Sequence, residues 1–206
     1  METTEKTELG ILSEISRISN SYADLPEKLQ RIVEAVARGM SKDGASVFLI
    51  DRSGKTVTLA AAIGLNQESI GRLSFPLGMG IAGWVAEQKV PLALEEPYSD
   101  PRFQYVPESG IEKFKSLVAS PILDEDRCLG VIFVLSLAPW QATSSELTLL
   151  NTTANQISGA RQGMEKSARR INAENTVVPA TTTATGWVAI LKPSRCGFKT
   201  LTMIHR

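Results

Sequence analysis

Histidine occurs once in this chain, at position 205, and cysteine twice, at 128 and 196. A lone imidazole without nearby partners rules out a histidine-based metal centre and haem ligation by a histidine within the folded part. The cysteines are far apart and differ in setting, one opening an apolar stretch and the other in a basic tail. Neither a disulfide framework nor a zinc cluster is indicated, and a reducing compartment fits. No charge of one sign dominates: 22 basic residues balance 22 acidic ones, so no overall field favours nucleic acid or an anionic membrane. No apolar run approaches the roughly 20 residues that span a bilayer, and the polar N-terminus has no signal-peptide core. A cytoplasmic location is the expectation. Phosphate-binding Gly-rich loops, Gly-x-Ser-x-Gly elbows and His-Glu-x-x-His helices are absent too, so no catalytic residue, metal site or cofactor is assigned.

What the chain does have is a dense middle. Residues 75–91 read Phe-Pro-Leu-Gly-Met-Gly-Ile-Ala-Gly-Trp-Val-Ala-Glu-Gln-Lys-Val-Pro. An extended piece ending at Pro76 passes through a turn at Gly78 and Gly80 into a short helix over 81–88, with Ile81, Trp84 and Val85 on one face. Before it, Ile11, Ile15 and Ile18 predict an amphipathic helix over 9–20. Leu29, Ile32, Val33 and Val36 predict a second over 26–40, capped by Asp24 or Ser21. Residues 45–51 and 55–63 read as a hairpin about a polar turn. Val57, Leu59, Ala61 and Ile63 are expected on one side of its second strand, and the first strand, apolar on both sides, is expected to be central.

After a single helical turn at 67–71, an extension over 72–76 and a short strand at 92–94, residues 95–113 lose periodicity. This stretch gathers Pro97, Pro101, Pro107 and Gly110, and its aromatic residues argue for an ordered lid. Residues 116–123 and 128–137 read as a second hairpin. In its last strand Leu129, Val131, Phe133, Leu135 and Leu137 are expected on one face, with Ile132 and Val134 on the other. Thr143 or Ser144 caps a final helix carrying Leu147, Leu150, Ala154, Ile157, Arg161 and Met164 toward Arg170. The expected domain is therefore 1–170, with 171–206 a poorly ordered linker or tail that includes a Thr/Ala tract.

Three blocks, at 45–51 (Ala-Ser-Val-Phe-Leu-Ile-Asp), 76–83 (Pro-Leu-Gly-Met-Gly-Ile-Ala-Gly) and 130–134 (Gly-Val-Ile-Phe-Val), resemble those of GAF domains. That resemblance covers about 9–170. It implies an α+β fold: an antiparallel sheet of about six strands, N- and C-terminal helices packed on one face, and a ligand pocket under a long loop on the other. The lid sequence Asp-Pro-Arg-Phe-Gln-Tyr-Val-Pro-Glu-Ser-Gly at 100–110 is similar to that in the N-terminal GAF domain of nitrogen-type phosphoenolpyruvate–protein phosphotransferases. Residues 184–190 are similar to the opening of the next domain there. The resemblance implies a non-enzymatic sensory domain for a small metabolite, such as 2-oxoglutarate or glutamine, controlling a phosphotransferase. This chain is expected to be the regulatory piece without its engine.

The expected ligand-binding residues are Trp84, Arg102, Phe103, Tyr105, Ser116 and Ser120. Arg102 offers a planar charged donor, Phe103 and Tyr105 could close over a guest, and Ser116 and Ser120 could orient it from a strand facing the pocket. Each has a plainer assignment. Phe103 and Tyr105 can anchor the loop while Arg102 sits in water, the serines can be ordinary strand residues, and Trp84 is favoured as a packing residue.

The bilin-binding and thiol-reductase chemistries known among GAF proteins fit poorly, because Leu129 rather than histidine follows Cys128 and Cys196 lies in the tail. The constellation of cyclic-nucleotide-binding members is missing. The terminal-helix stripes could form a homodimer. A dimerisation scaffold with a filled pocket is the main alternative to the sensor, and a thiol reductase the lesser one.

Overall fold

The computed structural model describes residues 2–176, 187–193 and 199–205, with side chains over 9–163 except Glu108. Helices α1 (Glu2–Ser19) and α2 (Leu25–Gly39) come first. Asp24 caps α2 by accepting from the Glu27 amide at 2.9 Å, with Pro26 in the first turn, where a missing N–H costs nothing. Strands β1 (Gly44–Ile50), β2 (Thr56–Ile63) and β3 (Ser74–Pro76) lead into α3 (Gly80–Gln88). Then follow β4 (Leu92–Leu94), the lid, the hairpin of β5 (Ser116–Asp124) and β6 (Arg127–Ser136), and α4 (Ser144–Thr176). A capping box starts α4: the Glu146 amide donates to Thr143 Oγ1 at 3.2 Å, and the Thr143 amide donates back to Glu146 Oε2 at 2.8 Å.

The six strands form one antiparallel sheet in the order β3-β2-β1-β6-β5-β4. The central positions of β1 and β6 explain why both are apolar on both sides. Helices α1, α2 and α4 cover one face through Ile15, Leu29, Ile32, Val36, Leu150 and Ile157, which pack with Val47, Val118, Ile122, Ile132 and Val134. The opposite face carries Phe48, Leu59, Leu117, Val131, Phe133 and Leu135 and receives α3 through Ile81, Ala82, Val85 and Ala86. These clusters confirm the expected α+β architecture, with the terminal helices on one face and a hollow under the long loop on the other.

Two β-bulges change the side on which particular residues lie. Val47 stands opposite Ala61 but Phe48 opposite Leu59, leaving Ala60 as an extra residue in β2. Val57 and Leu59 therefore face α3, while Ala61 and Ile63 join the helix-side core, correcting the expected single face. In the second hairpin Ile122 stands opposite Gly130 and Leu123 opposite Cys128, so Leu129 is the extra residue. It packs with the helices, whereas Val131, Phe133 and Leu135 keep the other side. Strict alternation over 129–137 fails because one inserted residue reverses the parity of everything beyond it.

The described residues fall into two compact units, Met1–Met164 and Glu165–Arg206. The second holds the end of α4 and a hairpin of β7 (Trp187–Pro193) and β8 (Lys199–His205), with Trp187 opposite His205. The Thr/Ala tract and Cys196 lie outside the described residues.

Candidate functional site

Between the α3-side face of the sheet and the lid lies a hollow of about 70 Å³. One water needs roughly 10–15 Å³ on this measure, so several would fit. Phe48, Leu117, Phe133 and Leu135 make its floor, Phe75, Ile81 and Ala82 one wall, and Leu65 and Leu73 another. Phe103, Gln104, Val106, Ser109 and Ile111 form the roof. Among the described lining residues none is charged. Ser46 of β1 is 1% exposed and lines the hollow. A buried hydroxyl lining an otherwise apolar hollow is a polar handle for a guest.

The turn entering α3 is shaped by Gly78 and Gly80, whose φ angles of +79° and +63° lie in the left-handed region. It places the first turn of α3, with Ile81 and Ala82, against the hollow. The lid is ordered by its own contacts. Tyr98 Oη donates to the Ile111 carbonyl at 2.8 Å, and the Tyr98 and Phe103 rings lie 4.8 Å apart. Ser109 Oγ donates to the Val106 carbonyl at 2.7 Å, and the Asn66 amide donates to the Ser109 carbonyl at 3.0 Å. The aromatic residues therefore give the lid internal packing.

Of the expected ligand residues, only Phe103 lines the hollow. Arg102 points elsewhere: its Nε and Nη2 donate to Asp100 at 2.8 and 2.6 Å, and its guanidinium lies 4.2 Å over the Trp84 ring. These side-chain hydrogen bonds hold the Asp100 carboxyl below the usual carboxylate range. Arg102 and Trp84 thus clasp the lid to α3 without reaching the cavity. Tyr105 is 56% exposed and is not part of the roof.

Ser116 and Ser120 share the strand side of Val118 and Ile122 and face away from the hollow. Ser116 Oγ donates to the Ala138 carbonyl at 2.9 Å and Ser120 Oγ to Asn151 Oδ1 of α4 at 2.6 Å. Because β5 is covered on both faces, serine polarity there does not mark the pocket side. Ser46 was missed for the same reason, and its one signal is that it is the single polar residue between Ala45 and Ile50.

Cys128 is buried and donates to the Gly130 carbonyl at 3.1 Å, and burial pushes its thiol pKa up, the opposite of a poised nucleophile. Among the described residues no group of His, Cys, Asp and Glu is arranged to hold a metal, and no helix is long and apolar enough to cross a membrane.

A helix-backed antiparallel sheet whose other face carries a short helix and a roofed hollow defines a sensor-like module of the α+β class in shape alone, and the family is given by comparison. The chain belongs to the GAF domain family, whose model matches residues 24–160. It is 27% identical over 187 residues to the phosphoenolpyruvate-dependent phosphotransferase system protein of Salmonella typhimurium, covering 86% of this chain and 25% of that protein. It is 26% identical over 162 residues to the Nif-specific regulatory protein of Azospirillum brasilense, covering 76% of this chain and 26% of that protein. The chain thus spans about a quarter of the length of these curated relatives.

Among solved structures it is similar to the GAF domain of an Acinetobacter phosphoenolpyruvate-protein phosphotransferase, with a TM-score of 0.69, 26% identity, and coverage of 79% of this chain and 97% of that one. The corresponding domain from Coxiella burnetii gives a TM-score of 0.73 at 25% identity, covering 82% and 98%. A free methionine-R-sulfoxide reductase from Neisseria meningitidis, at 16% identity and a TM-score of 0.67 (78% of this chain, 91% of that one), shares the fold.

Proposed function

We propose that this GAF domain is a non-enzymatic cytoplasmic sensor in which a small metabolite enters the hollow beneath the 95–113 lid and controls a phosphotransferase in nitrogen-related signalling. The domain is 1–170, with 171–206 as linker. The observation that carries the reading is the hollow itself, roofed by Phe103 and lined from the sheet by the buried Ser46. The lining, whose polar members are Ser46, Gln104 and Ser109, supports a neutral, largely apolar ligand over a dicarboxylate, because Arg102 is committed to Asp100 and Trp84. At about 70 Å³ the hollow is small for a metabolite, so a guest is accommodated by the Phe103 side of the lid shifting and re-forming over it. The similarity to a phosphotransferase-system protein and a Nif-specific regulatory protein supports the signalling context.

Thermal-shift screening of neutral metabolites tests the reading. At 100 times its Kd, a ligand of the native state stabilises by about 2.7 kcal/mol, or several degrees in midpoint. Ser46→Val, which fills the hollow and removes the hydroxyl, is expected to abolish the shift. No hit, or an equal shift in that variant, refutes the site.

The second reading is a homodimer through the terminal helices. Ile11, Ile15 and Ile18 on α1, and Leu150, Ala154 and Ile157 on α4, are consumed by this chain's own core, so those stripes are not free for a partner. A dimer would use outward residues such as Leu9, which is 68% exposed. Sedimentation as a monomer at high concentration removes this reading.

A further inference from the structure

The turn between β5 and β6 is gripped from both sides of the sheet. From the α3 side, Lys89, the C-cap of α3 with a left-handed φ of 58°, sends its ammonium to the Asp126 carbonyl. The same ammonium lies close enough to Cys128, just past the turn, to pull its thiol pKa down against the larger effect of burial. From the α4 side, Gln162 Nε2 donates to Asp124 Oδ1 at 2.5 Å, and Arg161 Nη1 donates to the carbonyl of the bulged Leu129 at 2.9 Å. The turn closes on the last pair of the β5–β6 ladder, Asp124 opposite Arg127, whose side chains also meet at 3.2 Å. At the other end of this chain of contacts, Trp84 on α3 carries the Arg102 guanidinium of the lid, next to the roof residue Phe103.

We propose that the β5–β6 turn is a mechanical relay from lid to α4, running from Arg102 through Trp84 and the body of α3 to Lys89, then across Asp124–Arg127 to Gln162. Helix α3 has nine residues and packs on the sheet as one unit through Ile81, Ala82, Val85 and Ala86, so a load at its clasped side is carried along it as a rigid body. Moving α3 moves the Lys89 arm, and that arm holds the same turn that Gln162 holds. The sheet interior does not offer an equivalent route, because β1 and β6 are central strands locked by ladders on both edges. This proposal rests on the lid being the moving part of the sensor. It is tested without any ligand, so that it and the ligand reading fail separately.

The experiment is amide hydrogen exchange on the full chain, reading residues 95–113 for the lid and 157–163 for α4. Arg102→Ala opens the clasp, and Asp100→Asn is a milder release if the first variant folds poorly. Lys89→Asn shortens the arm while keeping a residue that tolerates a left-handed backbone. The clasp variant is expected to speed exchange in both segments, by about three- to tenfold in α4, the size of a modest coupling. In the Lys89→Asn background the lid is still expected to loosen while the added effect on α4 falls below about twofold. Gln162→Ala is expected to break the coupling from the other end in the same way. The relay is overturned if the clasp variants leave the lid unaltered, if they loosen the lid without touching α4, or if α4 responds equally with Lys89 replaced.

Discussion

Replacing Phe114 by alanine is expected to destabilise the domain by about 3–5 kcal/mol and to lower its melting midpoint by roughly 6–20 °C. Phe114 is 1% exposed, the bulkiest of the fully enclosed side chains, and sits at the junction where the lid ends and β5 begins. Its ring packs over the backbone of Gly44 and Gly64, and its amide donates to the Ile111 carbonyl at 3.0 Å. Such a site collapses poorly after truncation, because part of its wall is the backbone of Gly44 and Gly64, which can close the space only by moving the chain itself. The effect lies near the upper end for a core phenylalanine for that reason. Urea denaturation followed by circular dichroism measures it, and a loss under about 1 kcal/mol would show that the ring is not the anchor of the lid.

Gly83→Ala is expected to cost about 3 kcal/mol, although helix propensity alone predicts a gain of about 1 kcal/mol. A methyl at this position would lie 2.1 Å from the Pro76 carbonyl oxygen and 3.2 Å from its carbon, so the obstacle is backbone. The Gly83 carbonyl also accepts the Gly78 amide at 3.0 Å, which ties the helix to the turn it follows. Helix α3 must back away from β3, carrying Ile81 and Ala82 off the wall of the hollow. Gly159→Ala on α4 is the control, since an added methyl there meets nothing within 4 Å. That variant is expected to be stabilised by up to about 1 kcal/mol. Opposite signs for the two substitutions, measured by thermal or urea unfolding, are the expected outcome. A stabilised Gly83→Ala would mean that α3 is loosely docked.

The elements were legible because their signals are local. Helix α2 begins where Asp24 and Pro26 together satisfy the first turn, and α4 begins where Thr143 and Glu146 exchange hydrogen bonds. The central positions of β1 and β6 could be read from apolar residues on both sides of each strand. The lid was legible from its prolines and aromatic residues, and its Phe103 does roof the hollow.

The placement of the remaining candidate site residues was not legible, and the failures share a cause. Ser116 and Ser120 looked like pocket residues because serine is polar, yet β5 is enclosed on both faces and their partners are the Ala138 carbonyl and Asn151. Arg102 looked like a ligand donor because its charge is exposed in the sequence, yet Asp100, two residues away, and Trp84 across a gap in the chain claim it first.

Propensity, capping and periodicity thus determined from the sequence alone which segments become helices and strands, and block similarity determined the GAF fold. The tertiary structure alone decided which face of the sheet each residue serves. A strand alternates with period two, so one extra residue at Ala60 or Leu129 reverses every side chain beyond it, and a bulge becomes visible only when the partner strand is in place.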